Sequence, residues 1–270
     1  MLDRPLSKTP RLIAVANQKG GVGKTTTTIN VAAGLAEFGY KVLLIDLDPQ
    51  GNASTGLGIE PSQRQRTTYD LLLEEAPIEE LALPSSVENL SVCPANADLA
   101  SADIELVSNE KRSFLLHDAL NAKGALAMGM DFVLIDCPPS LSLLTVNALV
   151  AAHSVLIPLQ SEFFALEGLS QLMLTIRDIR KTANPDLRIE GVVITMADGR
   201  NRLSQQVEAD ARQTLGDLVF QTTIPRNVRV SEAPSYALPV LSYDPVSKGA
   251  DAYRRLTMEI VSRQAGAQVK

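Results

Sequence analysis

The 270-residue chain carries 25 Lys and Arg against 31 Asp and Glu, a net charge of −6, and is 45% hydrophobic and 21% charged. That balance excludes an intrinsically disordered polyelectrolyte and a histone-like basic protein, and it leaves ample apolar surface for a large core. The average hides a split: residues 1–176 hold 11 basic and 20 acidic side chains (net −9), residues 177–270 hold 14 and 11 (net +3).

Met1 to Pro10 lacks the apolar stretch of a signal peptide and reads as a flexible extension. The most apolar later window, Leu143–Leu159, is interrupted by Asn147, His153 and Pro158, so a transmembrane helix is not expected. Cys93 and Cys137 have neither the close pairing of a disulfide framework nor metal-ligand spacing, which suits a reducing compartment. A cytoplasmic protein is expected. Pro and Gly are scattered, and no repeat or low-complexity tract divides the chain. One domain over 1–270 follows, with 264–270 as a flexible tail.

Short runs rich in Val, Ile and Leu predict strands over Leu12–Ala16, Val42–Ile45, Leu90–Cys93, Phe132–Ile135, Val155–Ile157, Ile189–Thr195 and Val219–Ile224. They lack period-2 alternation, as strands covered by helices on both faces do. Between them lie helical patterns: the stretch after Lys24, with Ile29, Ala32, Ala33 and Ala36 on one face and Gly39 as a stop, then Thr67–Glu75, Lys111–Asn121, Leu143–Ala151, Leu166–Lys181, Leu203–Leu215 and Lys248–Arg263. The alternation predicts an α/β fold, a doubly wound, mostly parallel sheet flanked by helices, with ligands at the C-terminal strand ends.

The first strand end reads Asn17-Gln18-Lys19-Gly20-Gly21-Val22-Gly23-Lys24-Thr25-Thr26. Its glycines permit a tight loop whose N–H groups face a phosphate, the following helix adds its N-terminal partial charge, and Lys24 adds a mobile cation. Thr25 can offer a hydroxyl to Mg²⁺. The strict P-loop pattern fails at its first position, where Gln18 replaces Gly, and Lys19 is an additional lysine. The second strand ends in Asp46-Leu47-Asp48-Pro49-Gln50-Gly51-Asn52, with two carboxylates on the same side of an extended segment. Either could instead cap a turn. The strand Phe132–Ile135 runs into Asp136-Cys137-Pro138-Pro139-Ser140. An aspartate there can hold Mg²⁺, commonly through water, or cap the next helix, a role better suited to Ser140 or Ser142.

With Lys19–Thr26, Asp46–Asn52 and Asp136–Ser140, the chain resembles the ParA/MinD superfamily of deviant Walker A P-loop ATPases. Three later blocks, Thr195–Arg200, Ile224–Ala233 and Ser247–Tyr253, make it most similar to chromosomal, Soj-type ParA partition proteins. The resemblance implies slow ATP hydrolysis with Mg²⁺ in a sandwich homodimer. In it Lys19 would reach the partner's ATP, and Gly20, Gly21, Val22, Gly23, Lys24, Thr25 and Thr26 would cradle the phosphates. Thr25 would ligate the metal, with Asp46 and Asp136 in its outer shell. Asp48 would position the attacking water, and Pro225 and Asn227 would lie near the adenine.

It also gives the basic last third a purpose, since such relatives bind double-stranded DNA non-specifically through basic residues, here Arg200, Arg202, Arg226, Arg229 and Lys248. No helix-turn-helix segment precedes Arg11, so sequence-specific operator binding is not expected. A ParB-type centromere-binding protein is the implied partner, and the nucleoid the implied location. The competing membrane-associated, MinD-like reading needs a basic amphipathic helix. The tail Ser262–Lys270 has no bulky apolar face, and no stable membrane association is expected. An iron–sulfur reductase or a small-molecule ligase of the same fold is disfavoured by the cysteine placement and by the later blocks. His117 and His153 are read as structural, and the Tyr253, Leu256, Ile260 stripe as core.

Overall fold

A computed structural model describes residues 9–121, 128–162 and 165–267. Seven strands of these residues form one sheet: β1 (Arg11–Val15), β2 (Val42–Asp46), β3 (Leu83–Pro84), β4 (Leu90–Cys93), β5 (Phe132–Asp136), β6 (Ser154–Gln160) and β7 (Arg188–Thr195). Their spatial order is β3-β4-β2-β5-β1-β6-β7, and every pairing is parallel except β3 with β4. Alternate residues feed two cores. Leu12, Ala14, Leu43, Ile45, Val133 and Ile135 face one helical layer, while Ile13, Val15, Val42, Leu44, Phe132 and Leu134 face the other. Both faces are dry, which is why the strands read as unbroken apolar runs.

The first helix, α1 (Lys24–Glu37), carries the loop lysine at its start and packs on the C-terminal helix Lys248–Ala267. The approach is close: a Cβ on Gly34 would sit 2.5 Å from Thr257 Oγ1. Tyr253, Leu256 and Ile260 are buried in that layer, as the sequence stripe requires. The same helix continues to Ala267, past the expected boundary at Arg263, so 264–267 are helical rather than a tail. The expected extension 1–10 lies outside the described residues except for Thr9 and Pro10, as do residues 268–270 of the tail.

The expected strand Val219–Ile224 is not one. The segment touches β7 only at its ends, where Phe220 N donates to Val192 O and Ile224 N to Ile194 O, because in between side chains take backbone groups a ladder would need. Arg212 donates to the carbonyls of Phe220 and Gln221, and the Glu259 carboxylate accepts the N–H groups of Gln221 and Thr222. The helices over Leu143–Ala151 and Arg202–Leu215 match expectation closely, whereas that over Leu115–Asn121 starts four residues late, after turns at 111–114.

At the sheet's opposite end, His153 Nδ1 accepts the Leu12 N–H at 2.9 Å. Burial, with Arg11 nearby, holds its pKa below the ordinary 6.5. The unfolded chain therefore takes up this proton first, and the contribution, complete above pH 6.5, is lost as pH falls below it. His153→Asn, which keeps an acceptor, is expected to flatten the fall in Tm between neutral and mildly acidic pH. Thermal melts across that range check this.

Candidate nucleotide site and its basic flank

Sheet register assembles the site. Val15 pairs with Asp136, and Asp136 pairs with Asp46, so three strand ends stand side by side where the glycine loop leaves β1. Within that loop Gly21 and Gly23 have positive φ (74° and 85°), conformations that L side chains resist, and Gly23 is the residue from which α1 starts. The loop is pinned from two sides. Asn17 Oδ1 accepts the Lys19 N–H at 3.0 Å while its amide donates to Pro158 O, and Thr195 Oγ1 donates to Val22 O at 2.8 Å.

The two loop lysines differ. Lys24 is buried, and its ammonium donates to Lys19 O at 3.0 Å. Burial lowers its pKa, opposed chiefly by the nearby carboxyl groups of Asp136 and Asp48. Lys19 projects outward and pairs with Glu162 at 2.7 Å. Thr25 and Thr26 lie half-buried at the start of α1.

Each carboxylate has its own surroundings. Asp46 is fully buried; Oδ2 accepts from Ser54 N (2.8 Å) and Oγ (2.7 Å), and Oδ1 from Asp48 N (3.2 Å). Burial pushes its pKa up to about 6 against those bonds. Asp136 is raised to about 7 by burial and by Asp46, with Thr25 and Thr28 hydroxyls pulling it down. Thr28 reaches Oδ1 at 2.8 Å, and Oδ2 is buried without a hydrogen-bond partner among the described residues. Asp48, 8% exposed, opens the turn after β2 and accepts the Gln50 N–H at 3.0 Å.

The register thus brings Lys19, Gly20, Gly21, Val22, Gly23, Lys24, Thr25, Thr26, Asp46, Asp48 and Asp136 to one corner. Asp46 is already engaged by protein donors, so it ties the Ser54 segment down. Asp136 Oδ2, by contrast, has no hydrogen-bond partner among the described residues. A buried free acceptor beside a glycine cradle and a buried lysine fits a magnesium-bound triphosphate.

Thr195 and Met196 border the loop, and 225–226 pair with Ala197 behind them. Ala197 bridges Pro225, and Met196, at φ 52°, has its side-chain methyl near Gly23. Asn227 Oδ1 accepts the Arg229 N–H and caps the turn Val228–Glu232. The expected basic residues divide. Arg200, Arg202, Arg226 and Lys248 are exposed, Arg200 beside Asp198 at 3.4 Å with its side chain 94% accessible. Arg229 is ion-paired to both Glu232 (3.0 Å) and Asp244 (3.2 Å).

Cys93 and Cys137 are buried and free, and burial pushes the Cys93 thiol up to about 12 and that of Cys137 higher still. Arg64 and Thr55, which line the turn after Asp48, escaped sequence reasoning: an arginine in a polar stretch looks solvated, and no spacing marks it as buried.

Residues 10–189 match the family model described as AAA domain. The chain is 55% identical over 260 residues to the chromosome partitioning protein ParA of Caulobacter vibrioides, covering 96% of this chain and 97% of that one. It is 50% identical over 252 residues to the sporulation initiation inhibitor protein Soj of Bacillus subtilis, covering 93% and 98%. Among solved structures it is similar to cobyrinic acid a,c-diamide synthase from Mycobacterium smegmatis with bound ADP and magnesium (38% identity, TM-score 0.82, 96% and 97% covered). It is also similar to the cell division ATPase MinD of Pyrococcus furiosus (27%, 0.76, 94% and 99%). These matches span the chain almost end to end, and the chain belongs to the ParA/Soj family of AAA-domain P-loop ATPases.

Proposed function

We propose that this chain is a chromosome-partition ATPase whose ATP-bound homodimer holds DNA non-specifically and lets go when a ParB-type partner stimulates hydrolysis. The observation that carries the reading is the aligned corner of glycine loop, buried Lys24 and orphaned Asp136 oxygen, with exposed arginines on its flank. Lys24 and the loop N–H groups bind the phosphates, and Thr25 with Asp136 would hold Mg²⁺. When bound, the metal supplies charge neutralisation for phosphoryl transfer. Asp48 orients the attacking water. Pro225 and the backbone about Asn227 lie near the base.

Lys19 gives the switch its logic. In the single chain its ammonium rests on Glu162, and in the dimer it turns to the partner's nucleotide. An exposed pair of this kind is worth only about 0–1 kcal/mol, so a bound triphosphate easily outbids it. Each chain is net acidic, whereas two copies double the exposed set Arg200, Arg202, Arg226 and Lys248 within a Debye length of about 8–10 Å of the phosphates. A nucleoid-associated protein follows.

Titrating duplex DNA by fluorescence anisotropy with ATP, with ADP and with no nucleotide tests the proposal. Tight, salt-sensitive binding is expected with ATP alone, and ATP-independent or absent binding would falsify it. Arg200→Glu is expected to weaken binding more than Arg229→Glu, whose charge Glu232 and Asp244 already balance. The membrane-associated alternative predicts ATP-dependent co-sedimentation with anionic vesicles. None of the described helices is long and apolar enough to cross a membrane.

A further inference from the structure

Resting on the ATPase reading, we infer that Arg64 and Thr55 are positioning residues that set the Asp48 turn from beneath. The Arg64 guanidinium is buried, and among the described residues it has no ion-pair partner. Nearby negative charge comes from Asp46 and Glu60. Its donors are spent on the loop: Ile59 O at 2.6 and 3.1 Å, Thr55 Oγ1 at 2.7 Å and Ala95 O at 3.4 Å. A charge is rarely buried to serve neutral acceptors unless their placement matters.

The placement leads to Asp48. Thr55 Oγ1 accepts from Arg64 and donates to Gly51 O at 3.0 Å. Gly51 N donates to Asp48 O at 2.8 Å, and Gln50 N to Asp48 Oδ1 at 3.0 Å. The guanidinium thus reaches Gly51 through the Thr55 hydroxyl, and Gly51 closes the turn onto the Asp48 carbonyl, next to the peptide that donates to the Asp48 carboxylate. Gly51 has φ 63°, and a Cβ there would collide with Arg64 Nη1, so the guanidinium lies flush against the turn. A second tie shares the same anchor: Ala95 N donates to Ser54 Oγ, which donates to Asp46. Ala95, two residues past β4, thus contacts both the Asp46 side and the Arg64 side of the turn.

Thr55 is exposed, so its hydroxyl can be removed without opening the core. In ATP turnover assays Thr55→Val is expected to lower kcat about ten- to hundredfold, the scale of a small misplacement of a reacting group. KM for ATP should stay within about twofold. Thr55→Ser, which keeps the hydroxyl, should restore wild-type kcat, and Arg64→Lys, charged but lacking the fork, should fall between. Wild-type kcat in Thr55→Val, loss undiminished in Thr55→Ser, or a raised KM with kcat intact would each overturn the positioning role. Absence of turnover in the wild-type protein would instead remove the ATPase reading and this inference with it.

Discussion

Lys24→Ala is expected to weaken binding of magnesium ATP by about 30- to 5000-fold, the range for deleting one partner of a buried hydrogen-bonded charge pair at about 2–5 kcal/mol. The effect is large because this ammonium is preplaced. It is buried, anchored to Lys19 O, and it stands among Asp136, Cys137 and Asp48. Burial lowers its proton affinity because the ammonium has lost hydration, which an arriving anion replaces. The P-loop backbone and α1 would remain, because Gly21 and Gly23 set their own dihedrals and Thr195 still holds Val22. Isothermal titration of ATP into wild type and variant gives the answer. Affinity within a few-fold of wild type would mean that the phosphates do not lie on Lys24.

Asp48→Ala is expected to separate assembly from turnover. Steady-state phosphate release should fall by about 10²–10⁴, the usual share of a positioned general base or water-orienting group. Nucleotide affinity should change little, since Asp48 is a carboxylate beside the glycine loop and offers a phosphate no donor. The ATP-dependent dimer should persist and outlive that of the wild type, and light scattering after gel filtration with ATP would show it. A variant monomeric with ATP would contradict the role given to Asp48. Lys19→Ala should give the mirror image, with ATP still bound by each chain but no dimer formed.

Much of this corner could be read from the sequence because its parts are local. Strand, glycine loop and helix follow one another within Arg11–Glu37, and apolar runs buried on both faces announced six of the seven strands. What could not be read depends on register and on side chains far apart in the chain. That Asp46 and Asp136 lie abreast, one saturated by Ser54 and the other left with a free oxygen, follows only from pairing β2 with β5. The failed strand at Val219–Ile224 has the composition of a strand, but Arg212 and Glu259 capture its peptides, and no pattern within the run reveals this. The two-residue strand β3 is too short to have any period.

The charge split was legible as a count and incomplete as a map. Of the basic residues in the last third, Arg212, Arg229, Arg254, Arg255 and Arg263 are each neutralised by a carboxylate, Glu208, Glu232, Glu37, Asp251 and Glu259 among them. Arg200 leans on Asp198 as well, whereas Arg202, Arg226 and Lys248, and elsewhere Arg180, Lys181 and Arg188, are exposed and stand outside the ion pairs of the described residues.

The captured peptides at Gln221 and Thr222 have a bearing on crowding. A protein that gathers along a polymer raises its own local concentration, and an open sheet rim under those conditions recruits strands from neighbouring copies. Here one rim stops at a strand of two residues containing Pro84, which lacks a donor. The other is flanked by a segment whose amides point into the Glu259 carboxylate instead of outward. Fibre-like stacking is thereby denied a foothold at both rims.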